Sequence, residues 1–200
     1  MAFISNGTTI LDNGAFSVGL GGLVLLSEQT ASASASISFT TGIDSTYPIY
    51  KFEFINIHPA TNDTSFTFQV DTGTNTNYNQ TITSTFFNAQ HDESDTGTYL
   101  MYRTTGDQAQ GTSFQRLTEG TGGDNDQSFS GTLKLFNPSS TTFVKHYLGT
   151  SQEYYQDNRS INTFYAGYCN VTVAIDGVQF SMSSGNIDSG TIKLYGIKDS

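Results

Sequence analysis

The chain has one cysteine, no tryptophan, three prolines and only eight lysines and arginines among 200 residues. With Cys169 alone, no internal disulfide can form. The fold must therefore stand on its core, and a chain of this length buries about 70% of its unfolded surface. Flanked by Tyr168 and Asn170, Cys169 reads as a strand residue packed as a small hydrophobe. Eight bases against 18 acids leave a formal charge of −10. A nucleic-acid partner needs a basic face, and so does binding to anionic lipid, so both are disfavoured. Long apolar runs are also missing. Val18 to Leu26 is nine residues with three glycines, too short to span a bilayer. MAFISNGTTI has neither a basic n-region nor an apolar h-region, so no signal peptide is expected. The expectation is synthesis in a cytoplasm and delivery by lysis or as part of a particle, with a cytosolic β domain as the alternative. No segment keeps a 3.6-residue period beyond two turns. A short helical turn within Gln108–Leu117 is the only helix the residues allow.

What fills the space is polar and β-forming. There are 29 threonines and 23 serines, with 15 Phe and 11 Tyr. Threonine and aromatics suit a pleated surface, while serine, asparagine and glycine suit turns. Apolar residues alternate at Tyr50, Phe52 and Phe54. They alternate again over 65–70, 81–87, 98–103, 131–136, 141–148 and 161–169. Ala31 to Ser36 alternates small residues and continues into Ile37 and Phe39, which argues for a strand. The closing stretch, Val171 to Ile197, reads as a hairpin turning at Asp176-Gly177, a loop bracketed by Gly185-Asn186 and Ser189-Gly190, and a last strand. Val178, Phe180, Met182, Ile192 and Leu194 are its expected core residues. About ten short strands separated by turns predict an all-β, jelly-roll-like antiparallel β-sandwich, with a barrel as the alternative. One compact domain is expected over 26–200. Residues 1–25 are expected to be an extended N-terminal arm, with turns at Asn6-Gly7 and Asp12-Asn13-Gly14.

Candidate chemistry is sparse. His58, His91 and His146 share no metal-ligand spacing. The runs His91-Asp92-Glu93-Ser94-Asp95 and Asp124-Asn125-Asp126 offer oxygen ligands, yet the calcium-loop pattern of an EF-hand is absent, and solvated acidic loops are the expectation. Gly120-Thr121-Gly122-Gly123 follows no strand-to-helix pattern and reads as a plain loop. No nucleophile elbow, Walker loop or kinase signature occurs. Eighteen acids on a sandwich always place some pair together, so a glycosidase pair is not readable. Tyr154, Tyr155, Tyr165 and Tyr168 offer aromatic faces to sugar rings, against a plain role in packing between sheets or subunits. No cofactor is expected.

Two stretches echo each other: FINIHPATNDTSFTF and LKLFNPSSTTFVKH. Each runs strand, Asn, Pro, small polar residues, Thr, Phe, so they are candidate equivalent corners of two packed sheets. With VAIDGVQFSMSSGNIDSGTIKLYGI at the end, the chain resembles a family of virion structural proteins of tailed bacteriophages, notably marine phages of cyanobacteria. That family pattern is N-x-x-P-A-T, then L-x-L-F-N-P-S-S-T-T, then D-x-I/V-Q-F-x-x-S-S-G-N-I-x-S-G-x-I-x-L-Y-G-I. Here the positions are Asn56, Pro59, Ala60 and Thr61; Leu133 to Thr142; and Asp176 to Ile197. Phe86-Phe87 and His91-Asp92-Glu93 extend the likeness, which covers roughly 47–197. The resemblance implies a non-enzymatic protein on the particle exterior, as capsid decoration or a tail-associated surface protein. Its partners would be copies of itself, as a dimer or trimer, and capsid or tail proteins. Phe3, Ile4, Leu23, Leu25, Tyr195 and Ile197 are the expected oligomer or docking residues. A carbohydrate-binding adhesin for host glycans, using Tyr154 and Tyr155, is the alternative.

Overall fold

The computed structural model describes residues 3–5, 8–12, 15–16, 22–73 and 76–198, and of the first 21 side chains only that of Ile4. Strands make up 59% of the chain and no helix occurs among the described residues. β1 (Phe3–Ser5), β2 (Thr8–Asp12) and β3 (Ala15–Phe16) form a small sheet of their own in the order β1-β2-β3. The arm's expected turns at Asn6-Gly7 and Asn13-Gly14 lie outside the described residues.

The body of the molecule is an antiparallel β-sandwich with unequal sheets. Its strands are β4 (Leu23–Ser34), β5 (Ile37–Phe39), β6 (Ile49–Pro59), β7 (Phe66–Thr72), β8 (Ile82–Asp92) and β9 (Thr98–Tyr102). They continue with β10 (Gln115–Arg116), β11 (Phe129–Phe136), β12 (Lys145–Tyr155), β13 (Arg159–Cys169), β14 (Ile175–Met182) and β15 (Ile187–Ile197). Eight form one sheet, β4-β15-β6-β11-β12-β13-β8-β9, and four form the other, β10-β7-β14-β5. β4 therefore starts inside the segment expected to be arm, as an edge strand of the large sheet.

Phenylalanines fill the space between the sheets. Phe180 on β14 meets the rings of Phe52, Phe54 and Phe66 at centroid distances of 5.1, 5.2 and 5.6 Å. Edge-to-face and offset pairs of this kind add to plain area burial. Val178, Met182, Ile192, Leu194 and Cys169 are buried with it, as the alternation predicts. Two tyrosines on the inner face lie across from glycines in register: Tyr165 opposite Gly149, and Tyr147 opposite Gly167. Gly149 has to lack a Cβ, which would collide with the Thr132 carbonyl and the Tyr165 ring.

The small sheet is too narrow to cover β12, β13 and β8. The segment 103–127 covers them instead, and it is not helical: its one regular piece is β10, paired with β7. The inner faces of β8 and β12 are polar here because they hold that segment's backbone. Ser151 Oγ donates to Leu117 O at 2.6 Å, Gln115 Nε2 donates to Gly106 O at 2.7 Å, and the Gln108 N–H donates to Ser84 Oγ at 2.8 Å. At one end Glu153 accepts the Glu119 N–H at 2.7 Å, the Gly120 N–H at 3.2 Å and the Thr121 hydroxyl at 3.2 Å. Buried polar groups require such partners. Arg103 pairs with Glu119 beside them.

Three local expectations are corrected. Asp176-Gly177 is not a hairpin turn: it lies inside β14 as a bulge opposite Asp71 and Thr72 of β7. Val171 to Ala174 is not a strand, because the buried Lys145 ammonium takes the Val171 and Val173 carbonyls at 3.0 and 2.6 Å. Ser189-Gly190 likewise sits within β15, where the pairing with β6 shifts register. The two Asn-Pro stretches are not equivalent. The first carries the chain from β6 in the large sheet to β7 in the small one, whereas the second joins β11 and β12, which pair directly.

Candidate interaction surface

Cross-strand partners point to the same face of a sheet, so the register lays out the outer face of the large sheet in rows. One row runs Thr85, Ala166, Leu148, Lys134, Lys51, Tyr195, Leu25. A second runs Tyr102, Phe87, Phe164, Thr150, Thr132, Glu53, Lys193, Glu28. A third brings Ile49, Ile197 and Leu23 together at one edge, and Thr83, Tyr168 and His146 toward the other. Leu25 is 51% exposed and Leu100, on edge strand β9, 77%. The Phe87 and Phe164 rings stack at 5.0 Å with planes 7° apart. Between them and Phe136 a shallow groove of about 400 Å³ is lined by His146, Leu148, Ala166 and Tyr168.

Four of the six expected docking residues thus meet at one corner: Leu23, Leu25, Tyr195 and Ile197. Leu25 faces Tyr195 and Leu23 faces Ile197 directly. Phe3 and Ile4 belong to β1, where Ile4 is exposed and the Phe3 side chain lies outside the described residues. Phe87, Leu100, Tyr102, Leu148 and Phe164 were not anticipated. Adjacent aromatics such as Phe86-Phe87 and Phe164-Tyr165 carry the signal, since a strand must send one of each pair to each face.

The face is close to electrically neutral although the chain is strongly acidic. Lys51 pairs with Glu53 at 2.7 Å and Lys193 with Glu28 at 3.1 Å, and Lys134 lies beside Lys51.

A polar groove of about 470 Å³ opens near the other end of the same sheet. His91, Glu93, Asp126, Ser130, Gln152, Tyr154 and Arg159 line it. Tyr154 donates to Asn158 Oδ1 at 3.2 Å, and the neighbouring Glu93 carboxylate raises its phenol pKa. Tyr155 points away and covers Gly120, where a Cβ would come within 2.8 Å of its ring. The two tyrosines therefore cannot form one stacking platform.

The Asp92 loop satisfies its own carboxylate, and the Asp124 loop closes through its backbone. Asp92 accepts the Thr96 N–H and hydroxyl, both at 2.8 Å, and the Ser94 hydroxyl at 3.2 Å. Those donors, the Thr96 amide first, hold its carboxyl down at about 2. In the second loop the Asp124 N–H donates to Gln127 Oε1 and its carbonyl accepts the Gln127 N–H. His58 bonds Gln127 O through Nδ1 at 2.6 Å. No group of three or more His, Cys, Asp and Glu is placed to hold a metal among the described residues. No helix among them is long and apolar enough to cross a membrane. No family model, curated protein or solved structure matches this chain.

Proposed function

We propose that the protein is a non-enzymatic virion protein on the exterior of a phage particle, which associates with copies of itself through the outer face of the large sheet. The phage assignment rests on the resemblance carried by residues 47–197. The observation that carries self-association is a pair of exposed apolar patches on that face, Tyr102, Phe87, Phe164 and Leu148 toward one edge and Leu23 and Leu25 at the other, separated by threonines and paired charges. Eight strands, each taking up about 4.8 Å, make the face about 38 Å wide, and three rows, each taking up about 6.8 Å, give it a height of about 20 Å. The resulting area, about 780 Å², is near the ~800 Å² per partner of a standard interface. Its internally paired charges let two acidic copies approach there without the repulsion met elsewhere. The arm bearing Phe3 and Ile4 is the segment proposed to attach the protein to capsid or tail.

Leu25→Asp combined with Tyr195→Asp would place two carboxylates in the contact where a leucine and a tyrosine now meet. The expected result in sedimentation analysis is a loss of self-affinity of about 100-fold or more, with the monomer's Tm changed by no more than a few degrees. A monomeric wild-type chain at concentrations near 100 μM would overturn the reading. Mass spectrometry of purified particles tests location: a copy number tracking the capsid supports decoration, one tracking tail components supports a tail protein, and absence from the particle refutes both.

The adhesin reading has one observation in its favour, the Tyr154 groove with its carboxylates, amide and arginine. Such a mixture suits sugar hydroxyls around an aromatic face. Glycan-array binding lost in Tyr154→Ala but retained in Tyr155→Ala is its expected signature; equal loss in both variants, or no binding, counts against it.

A further inference from the structure

We propose that the end of the four-stranded sheet holds a calcium site built on Asp71 and Asp176. The two aspartates line one cavity of about 180 Å³ together with Thr40, Gly73, Thr76, Tyr78 and Gly177. They meet because of the β14 bulge. Gly177 lies opposite Asp71 in register, the extra residue Asp176 is inserted beside it, and bulges re-aim side chains in this way. A Cβ at Gly177 would stand 3.2 Å from the Asp71 Cβ and 3.6 Å from the Tyr78 hydroxyl, so the glycine keeps the space between them open.

The second observation is Asp71 itself. It is 3% exposed, and its Oδ1 is fully buried with no hydrogen-bond partner among the described residues. An unpaired carboxylate oxygen out of water is costly unless a cation or donor meets it. The polar side chains lining the cavity all end in oxygen: the two carboxylates and the hydroxyls of Thr40, Thr76 and Tyr78. No histidine or thiol is among the lining residues. That set matches calcium, which accepts six to eight mixed oxygens in flexible geometry and completes its shell with water, better than magnesium, which demands a strict octahedron. Two carboxylates balance the ion's charge. Bound there, calcium would tie the β14 bulge to β7 and to Thr76 and Tyr78. This site is independent of the outer face and of the virion reading.

Terbium provides the test, because Tyr78 lines the cavity and can sensitise emission from an ion a few ångströms away. The chelator-treated chain is titrated with terbium under excitation of tyrosine, then with calcium as competitor. The expected result is saturable emission displaced by calcium and lost in both Tyr78→Phe and Asp176→Asn, while calorimetry still finds calcium binding in Tyr78→Phe. Calcium at about a hundred times Kd should raise the wild-type Tm by about 5–10 °C and leave that of Asp176→Asn unchanged. Folding of each variant is confirmed by circular dichroism. Emission that persists in Asp176→Asn places the ion elsewhere and overturns the proposal, as does a wild-type chain that shows neither calcium heat nor a Tm shift.

Discussion

Phe180→Ala lowers the unfolding free energy by about 3–5 kcal/mol, the usual cost of deleting a fully buried aromatic ring. The ring is 0% exposed and is the point where the two sheets meet: Phe39 and Phe52, Phe54, Phe66 and Phe68 all lie within 6.5 Å of it, centroid to centroid. Those neighbours come from β5, β6 and β7, and no single one can swing across to fill the gap while keeping its own contacts. Against a total stability of about 5–15 kcal/mol, such a loss leaves a large unfolded population at 37 °C. Urea unfolding is the measurement. The midpoint should fall with an unchanged slope, because the surface exposed on unfolding barely alters. Phe143→Ala is the control. That ring is 69% exposed, so its removal should cost no more than about 0.5 kcal/mol. Similar losses in both variants would contradict the packing described.

The second large effect depends on pH. Burial pushes the Glu153 carboxyl up to about 7, outweighing the Glu119 and Gly120 amides and the Thr121 hydroxyl, which favour the charged form. The folded chain therefore holds this proton more tightly than the unfolded chain, whose carboxyl titrates near 4.5. The stabilisation is fully present below the unfolded value and is lost as pH rises through the folded one. Between pH 4.5 and 7 the contribution of this group should fall by about 3 kcal/mol, to order of magnitude. Thr121 can adapt to either state, since its hydroxyl also lies 3.4 Å from Thr118 Oγ1. Glu153→Gln removes the titration but turns an amide NH₂ toward groups that are themselves donors, at a cost of about 1–3 kcal/mol. The variant should be less stable than wild type at pH 5, and the two urea midpoints should converge or cross by pH 8. Parallel curves would show that Glu153 does not titrate in that range.

The residues made some of this structure legible and hid the rest for identifiable reasons. Tyr50-Lys51-Phe52-Glu53-Phe54 alternates because β6 has a buried and a solvated face, and period-two patterning reports that directly. In β8 the same rule holds only in part, with Ile82 and Phe86 buried as expected but polar residues sharing their face. Ser84, Asn88 and Gln90 point inward and Phe87 outward, because the inner face there meets the backbone of 103–127 instead of another sheet. Local sequence cannot reveal a partner supplied by a distant loop. Asp176-Gly177 reads as a hairpin turn on its own. Only the presence of β7 alongside makes it a bulge. The docking corner was partly visible, since Tyr195 and Ile197 fall opposite Ile192 and Leu194. Their meeting with Leu23 and Leu25 depends on pairing across more than 160 residues.

The position of β15 also governs how the chain reaches this structure. It is the last of these strands to leave the ribosome, yet it lies between β4 and β6, two of the earlier strands of the large sheet. Until it arrives, β4 has no neighbour and β6 has a bare edge, while Ile192 and Leu194 leave a slot beside Phe52 and Phe54. Non-local pairing of this kind is slow, and strands waiting with open edges are prone to join the wrong chain. Twelve-residue β4, with one charged side chain and no proline, is poorly guarded during that interval. The closing segment therefore acts as the clasp of the fold, and the time before it engages is when nascent copies are most exposed to aggregation.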